Sequence, residues 1–237
     1  MLAQLNPTVG AIEENSKKIL DTYNIAAKQK IDILAFPEMF LSGYQLQDLV
    51  LKNSFQKDIM YFLNFLAQKC FYKTHLFIGA PIVENKKLFN AYLLIKNGEV
   101  TVFSKKYHLP NNSLFDEYRY FKQSYFYDLF EIDGIRIGFP ICEDIWYDDI
   151  SNKLKKKGAD LLISPNGSPY ERGKLKRRHN EVYKRCKENN LPIIYMNLVG
   201  GQDDQVFDGG SFTMDNKGNI IDQLPQFESM TFVLEFE

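Results

Sequence analysis

A cysteine ends the apolar run in GFPICEDIW, residues 138–146: Ile135, Ile137, Phe139 and Ile141 alternate, Gly138 and Pro140 lie between them, and Cys142 is followed by Glu143 and Asp144. A thiolate at a strand's carboxyl end is a strong nucleophile for acyl transfer. Asp144 suits a helix N-cap, which would put the sulfur near a helix N-terminus whose dipole favours the anion. Free cysteine is also among the most buried residue types, so Cys142 reads as a nucleophile only if it has partners. Cys70, on a helix's apolar face, and Cys186, in a basic helix, read as structural.

Two partners have the same placement. Glu38 in AFPEMFLSGY follows the apolar run Ile33–Phe36, and Lys106 in SKKYHLP follows the strand-like Glu99–Lys105. A carboxylate at a strand end faces a cleft more often than a core, because an unpaired buried charge costs several kcal/mol. Taken singly, each also reads as an ordinary surface charge. Together they supply a nucleophile, a base that takes and returns its proton, and an ammonium for a developing oxyanion. Strand ends on one sheet edge converge, so residues far apart in sequence can share a cleft. His75, His108 and His179 are scattered without metal-ligand or triad spacing.

The elements that must position these groups alternate. Leu2–Leu5 and Ile33–Phe36 read as strands around a helix over Ile12–Lys30. A second helix spans about Ser54–Cys70 and leads into the strand HLFIGAPIV. Asn97-Gly98 and Asp133-Gly134 sit between strand-like runs and mark tight hairpins. After Cys142 come a helix near Asp148–Lys157, the strand ADLLIS, a polar helix near Lys174–Asn189, the strand PIIYMN, and short strands with a turn at Asn216–Gly218. Such β/α units with hairpins need a sheet covered by helices; pattern alone leaves two packed sheets and one large mixed sheet both open.

The chain has 237 residues, 45% hydrophobic and 25% charged, which suits one domain over residues 1–237 with a substantial core. Its formal charge of −1 leaves no electrostatic footprint for nucleic acid or an acidic membrane. Three widely spaced cysteines fit reduced thiols and a cytoplasmic setting. No run of eighteen apolar residues suggests a membrane span, and MLAQLNPTVG lacks the order of a secretory signal. The run RGKLKRRH at 172–179 reads as a solvated helix face from which Lys174 and one arginine can reach a cleft.

FPEMFLSGY, KKYHLPNNSLFDEYRYF, GFPICEDIW, SPNGSPYERGK and NLVGGQDDQVFDGGSF, in this order, resemble the nitrilase superfamily of carbon–nitrogen hydrolases, and within it the glutaminase domains of glutamine-dependent NAD synthetases. The resemblance implies a four-layer α-β-β-α sandwich and a Glu-Lys-Cys triad at Glu38, Lys106 and Cys142. It places a supporting glutamate at Glu117 and a glutamine-binding wall at Phe115, Glu143, Ser168 and an arginine, assigned to Arg178 over its neighbour Arg177. The family has tyrosine and glycine after Leu-Pro-Asn, where this chain has Asn112 and Ser113. The implied reaction hydrolyses glutamine to glutamate and ammonia through a cysteine thioester, with no metal or organic cofactor. The ammonia would serve a synthetase domain or subunit, to which ATP and Mg belong; its Ser-Gly-Gly-x-Asp-Ser loop is missing here, and GGQDDQVFDGG lacks a Walker ending. The start at MLAQLNP suits a trimmed chain, the GGQDDQVFDGG region at 200–210 a partner surface, and superfamily habit a homo-oligomer. The alternatives are an amidase for another small amide and a non-catalytic protein that keeps the fold.

Overall fold

The computed structural model describes residues 1–112 and 114–236. Ser113, one of the two departures from the family pattern, lies outside the described residues.

The first sheet is built from β1 (Leu2–Gln4), β2 (Ile33–Ala35), β3 (His75–Glu84), β4 (Lys87–Lys96), β5 (Glu99–Lys105) and β16 (Met230–Phe232), in the order β16-β1-β2-β3-β4-β5. The strands β1, β2 and β3 run parallel, and β3, β4 and β5 are antiparallel neighbours. Helices α1 (Ile12–Lys28) and α2 (Asn53–Lys69) make the two crossovers between the parallel strands. The second sheet repeats the plan with β8 (Leu129–Ile132), β9 (Ile135–Gly138), β10 (Leu161–Asn166), β11 (Ile193–Asn197), β14 (Phe212–Met214) and β15 (Ile220–Gln223), ordered β15-β14-β11-β10-β9-β8. Here β9, β10 and β11 are parallel, and α4 (Asp148–Lys157) and α5 (Lys174–Asn189) cross over. Two small ribbons, β6 (Asn111–Asn112) with β7 (Phe115–Asp116) and β12 (Val199–Gln202) with β13 (Gln205–Asp208), the single turn α3 (Glu117–Tyr120) and 3-10 turns at Gln47–Leu51 and Cys142–Trp146 lie outside the two sheets.

Three buried clusters separate the layers. Ile19, Tyr23, Leu34, Ile59, Leu63, Leu76 and Ile78 lie between α1, α2 and the first sheet. Ala35, Phe77, Tyr92, Phe139, Leu161, Ile163, Ile194 and Met196 lie between the two sheets. Ile150, Leu154, Leu162, Val182, Ile193 and Tyr195 lie between the second sheet and α4, α5. Along β3 and β11 neighbouring side chains fall alternately into the inner and an outer cluster, which is the period-2 geometry of a strand buried on both faces. Three apolar interfaces make four layers: the α-β-β-α sandwich, with two separate sheets rather than one. Asn97 and Gly98, like Asp133 and Gly134, take positive φ, as their hairpins require.

The run before Cys142 is shorter as a strand than its alternation suggests. The β9 ladder ends at Gly138, and Pro140 cannot donate to a continuing one, so Phe139–Ile141 carry the chain out of the sheet to Cys142. Among the described residues no helix is long and apolar enough to cross a membrane.

Candidate active site

Because β2, β5, β9, β10 and β11 all end at the same edge of the sandwich, the residues after them converge. Glu38 follows β2, Lys106 follows β5, Cys142 lies four residues after β9, Gly167 and Ser168 follow β10, and Asn197 closes β11. Lys106 Nζ is the hub. It lies 2.8 Å from Glu38 Oε1 and 2.9 Å from Glu117 Oε2, and all three side chains are essentially withdrawn from solvent. Glu38 Oε1 also accepts from Asn90 Nδ2 at 2.7 Å, while its Oε2 accepts from the Gly167 N–H at 2.7 Å. Both oxygens of Glu38 face donors, an arrangement that suits the ionised carboxylate.

Glu117 opens α3, so the turn aims its carboxylate inward; Oε1 accepts from the Tyr44 hydroxyl at 2.7 Å. Burial lifts its pKa to about 7, with the Lys106 charge opposing and Glu38 adding to the rise. Burial alone would discharge Lys106, but Glu117 and Glu38 flank it and hold its pKa well above the ordinary value. Tyr44 stacks on Phe115 with ring centroids 6.1 Å apart and leans on Phe207.

Cys142 is 5% exposed and has φ of +47°, a left-handed conformation that a residue with a Cβ adopts only when its surroundings impose it. It opens a five-residue 3-10 turn, Cys142–Trp146. Asp144 is not the N-cap of a helix here. It is the third residue of that turn and lies fully buried. The expected dipole activation is also absent as a dominant effect: burial first, then the Glu38 charge, pushes the Cys142 thiol well above its usual pKa, against the pull of Lys106 and the Gly167 N–H. The thiol therefore rests protonated beside a carboxylate, in place of a preformed thiolate.

Glu143 is half-buried, and its pKa is raised by burial, with Lys106 and Lys174 opposing. Lys174, at the start of α5, is also half-buried; burial lowers its pKa, Arg178 adds to this, and the Cys142 and Glu171 charges oppose it. Arg178 is not an open arm for a ligand. It is fully buried, pairs with both oxygens of Asp208 at 2.8 and 2.9 Å, and donates to the Ser168 hydroxyl, the Ser168 carbonyl and the Pro169 carbonyl. Arg178 therefore fixes Ser168 in place, and Arg177 pairs with Glu171 at the surface. Asn112 lies in the exposed ribbon β6.

Tyr44, Asn90, Gly167 and Asp208 are site residues for which sequence reasoning found no role. Tyr44 and Gly167 stood inside motifs already singled out, FLSGY and SPNGSPY, and Asp208 inside QVFDGG; Asn90, in mid-strand, carried no signal. Cys70, just past the end of α2, and Cys186, on α5, are buried away from the cluster, as expected of packing residues. Among the described residues no group of three or more His, Cys, Asp or Glu side chains could hold a metal ion.

The family model described as carbon-nitrogen hydrolase matches residues 2–236. The glutamine-dependent NAD(+) synthetase of Rhodobacter capsulatus is 43% identical over 236 residues, covering all of this chain and 43% of that protein. The synthetase of the same name from Aquifex aeolicus is 40% identical over 232 residues, covering 96% of this chain and 40% of that protein. Thus the chain spans 40% to 43% of the length of these relatives. The solved glutamine-dependent NAD+ synthetase from Acinetobacter baumannii, in complex with ADP, superposes with a TM-score of 0.91 at 35% identity, over 97% of this chain and 43% of that one. An amidase from Nesterenkonia sp. shares the fold, with a TM-score of 0.84 at 20% identity over 97% of this chain and 86% of that one. With the family model matched almost from end to end, the chain belongs to the carbon-nitrogen hydrolase family.

Proposed function

We propose that the chain hydrolyses the side-chain amide of glutamine to glutamate and ammonia, with Cys142 as nucleophile, Glu38 as general base and acid, and Lys106 as oxyanion stabiliser. The observation that carries the reading is the buried Glu38–Lys106–Glu117 array beside a cysteine held in a left-handed elbow. In the first step the Cys142 proton passes to Glu38 as the sulfur bonds to the amide carbon, and the carbonyl oxygen takes up negative charge toward Lys106. Collapse breaks the C–N bond, and Glu38 hands its proton to the departing nitrogen, which leaves as ammonia. Water then attacks the γ-glutamyl thioester with Glu38 accepting its proton, and as the C–S bond breaks Glu38 returns that proton to the sulfur, releasing glutamate and restoring the thiol and the carboxylate. A resting thiol fits this scheme, because Glu38 is held in place to take its proton as the sulfur attacks.

Glutamine is favoured over a simple amide by the charges around the cysteine. Glu143 offers a carboxylate for the substrate's ammonium, and Lys174 with the Ser168 hydroxyl offers a cation and a hydrogen bond for its carboxylate. Phe115 and Tyr44 provide the apolar wall for the methylenes. Lys174 takes the role that the sequence suggested for Arg178, which Asp208 occupies fully.

In the same reading the ammonia is consumed by a synthetase domain or subunit that makes NAD, as the names of the relatives indicate for those proteins. ATP and Mg serve that partner's reaction, and the glutaminase step needs only this chain's residues and water. Self-association of the chain, the habit of the superfamily, belongs to the same proposal. Comparing ammonia release from glutamine, asparagine and ω-amides without an α-amino acid group tests the substrate. A clear preference for glutamine is expected, and equal rates would overturn the assignment.

A further inference from the structure

Lys106 and Cys142 belong to different sheets, so something has to fix the distance between the loops that carry them. One buried carboxylate touches both. Asp144 Oδ1 accepts from the backbone N–H of His108 at 2.9 Å and of Tyr107 at 3.2 Å, the two residues that follow Lys106. Its Oδ2 accepts from the N–H of Ile141, the residue before Cys142, at 3.0 Å, and from the Tyr127 hydroxyl at 2.8 Å. The Asp144 N–H in turn donates to the Ile141 carbonyl at 3.0 Å, so the pair Ile141 and Asp144 brackets Cys142 and Glu143 from both sides. Tyr127, on the segment leading into β8, closes the array by accepting from the Tyr107 N–H at 3.1 Å.

We infer that Asp144 is a positioning residue: it clamps the Lys106 loop of the first sheet to the Cys142 elbow of the second, and holds Cys142 at positive φ. The inference rests on the proposed roles of Lys106 and Cys142. A carboxylate is the right group because all four of its partners are donors, which a neutral amide cannot match. In Asp144→Asn the amide nitrogen must face either the Ile141 N–H or the N–H pair after Lys106, so one half of the clamp opens whichever way the amide turns. The elbow can then relax toward an ordinary backbone conformation, and the sulfur leaves its line to Glu38 and Lys106. A misplacement of about 1 Å between reacting groups costs on the order of 100-fold in rate.

The test compares the parent, Asp144→Asn, Tyr127→Phe and Leu154→Ala, the last an ordinary core truncation on α4 between the second sheet and its helices. Glutamine turnover in Asp144→Asn should fall about 100-fold in kcat with KM changed less than about threefold. Tyr127→Phe, which removes one of the four bonds, should fall by a smaller factor in kcat, and Leu154→Ala should lose thermal stability with kcat nearly unchanged. A folded Asp144→Asn protein with kcat within about threefold of the parent, or a Leu154→Ala loss equal to it at equal melting temperature, would overturn the clamp. Should Asp144→Asn not fold, Tyr127→Phe decides by the same kcat against KM comparison. If the parent itself does not turn over glutamine, the functional proposal fails separately, and iodoacetamide alkylation of Cys142 from pH 6 to 9 still decides the clamp. A profile changed in Asp144→Asn, toward that of a free thiol, supports it; an unchanged rate and profile overturn it.

Discussion

Replacing Gly167 with alanine should damage the site through a single methyl group. An ideal Cβ on Gly167 would lie 2.5 Å from Tyr44 Cδ1, 3.0 Å from its Cε1 and 3.2 Å from Glu38 Oε2. Carbon atoms pack comfortably at about 3.5–4.0 Å, so the ring or the Gly167 backbone has to move by about 1 Å. Tyr44 cannot yield freely, because its hydroxyl is tied to Glu117 and its ring lies against Phe115 and Phe207. Moving the backbone instead pulls the Gly167 N–H away from Glu38 Oε2, now 2.7 Å distant. Overpacking of this kind costs roughly 1–3 kcal/mol. For a chain of this length that lowers Tm by roughly 2–12 °C, at roughly 2–4 °C per kcal/mol. Turnover should fall further than stability, by roughly 100-fold in kcat, because the displaced group holds the general base. Ammonia release from glutamine, measured well below Tm, gives the rate, and a thermal melt gives the stability. A Gly167→Ala protein with the parent's kcat would refute the argument that this N–H and Tyr44 fix Glu38.

Three other perturbations follow from the same geometry. Glu117 has a folded-state pKa of about 7 against an ordinary 4.5, so its contribution to stability is complete below about 4.5 and is lost as pH rises through 7. Urea midpoints between pH 5 and 8 should therefore fall more steeply for the parent than for Glu117→Gln, and parallel slopes would contradict the assignment. Asp208→Asn strands the buried Arg178 guanidinium; breaking such a pair costs roughly 3–5 kcal/mol, visible as a lower urea midpoint, and an unchanged midpoint would deny the pair its role. Lys174→Gln should raise KM for glutamine roughly 10–100-fold, the loss of one charged hydrogen bond worth roughly 1.5–3 kcal/mol, while leaving an amide without a carboxylate unaffected. Equal effects on both substrates would remove Lys174 from the binding wall.

The elements were legible because their signals are local. Periodicity located α1, α2, α4 and α5 to within two residues, and the Asn-Gly and Asp-Gly pairs marked both hairpins. Strand ends also brought Glu38, Lys106 and Cys142 to one edge, a consequence of parallel topology that needs no side-chain detail. What escaped was long-range. The partnership of Asn90 with Glu38 joins residues 52 apart, and that of Gly167 with Glu38 joins residues 129 apart; neither leaves a spacing in the sequence. Asp144 was misread for the same reason. An acid near a helix start suggests a cap, whereas the carboxylate turns back to bind Ile141 and across to Tyr107 and His108. Arg178 drew the substrate role because it stands on the right helix, but its buried partner Asp208 comes from β13, thirty residues on.

Cys142 as the atom that attacks glutamine is tested most directly by trapping the covalent intermediate. Protein mixed with glutamine, quenched in acid and mapped by mass spectrometry should carry a γ-glutamyl adduct on the Cys142 peptide alone. Cys142→Ala should show neither adduct nor ammonia release. An adduct on Cys70 or Cys186, or full turnover by Cys142→Ala, would contradict it.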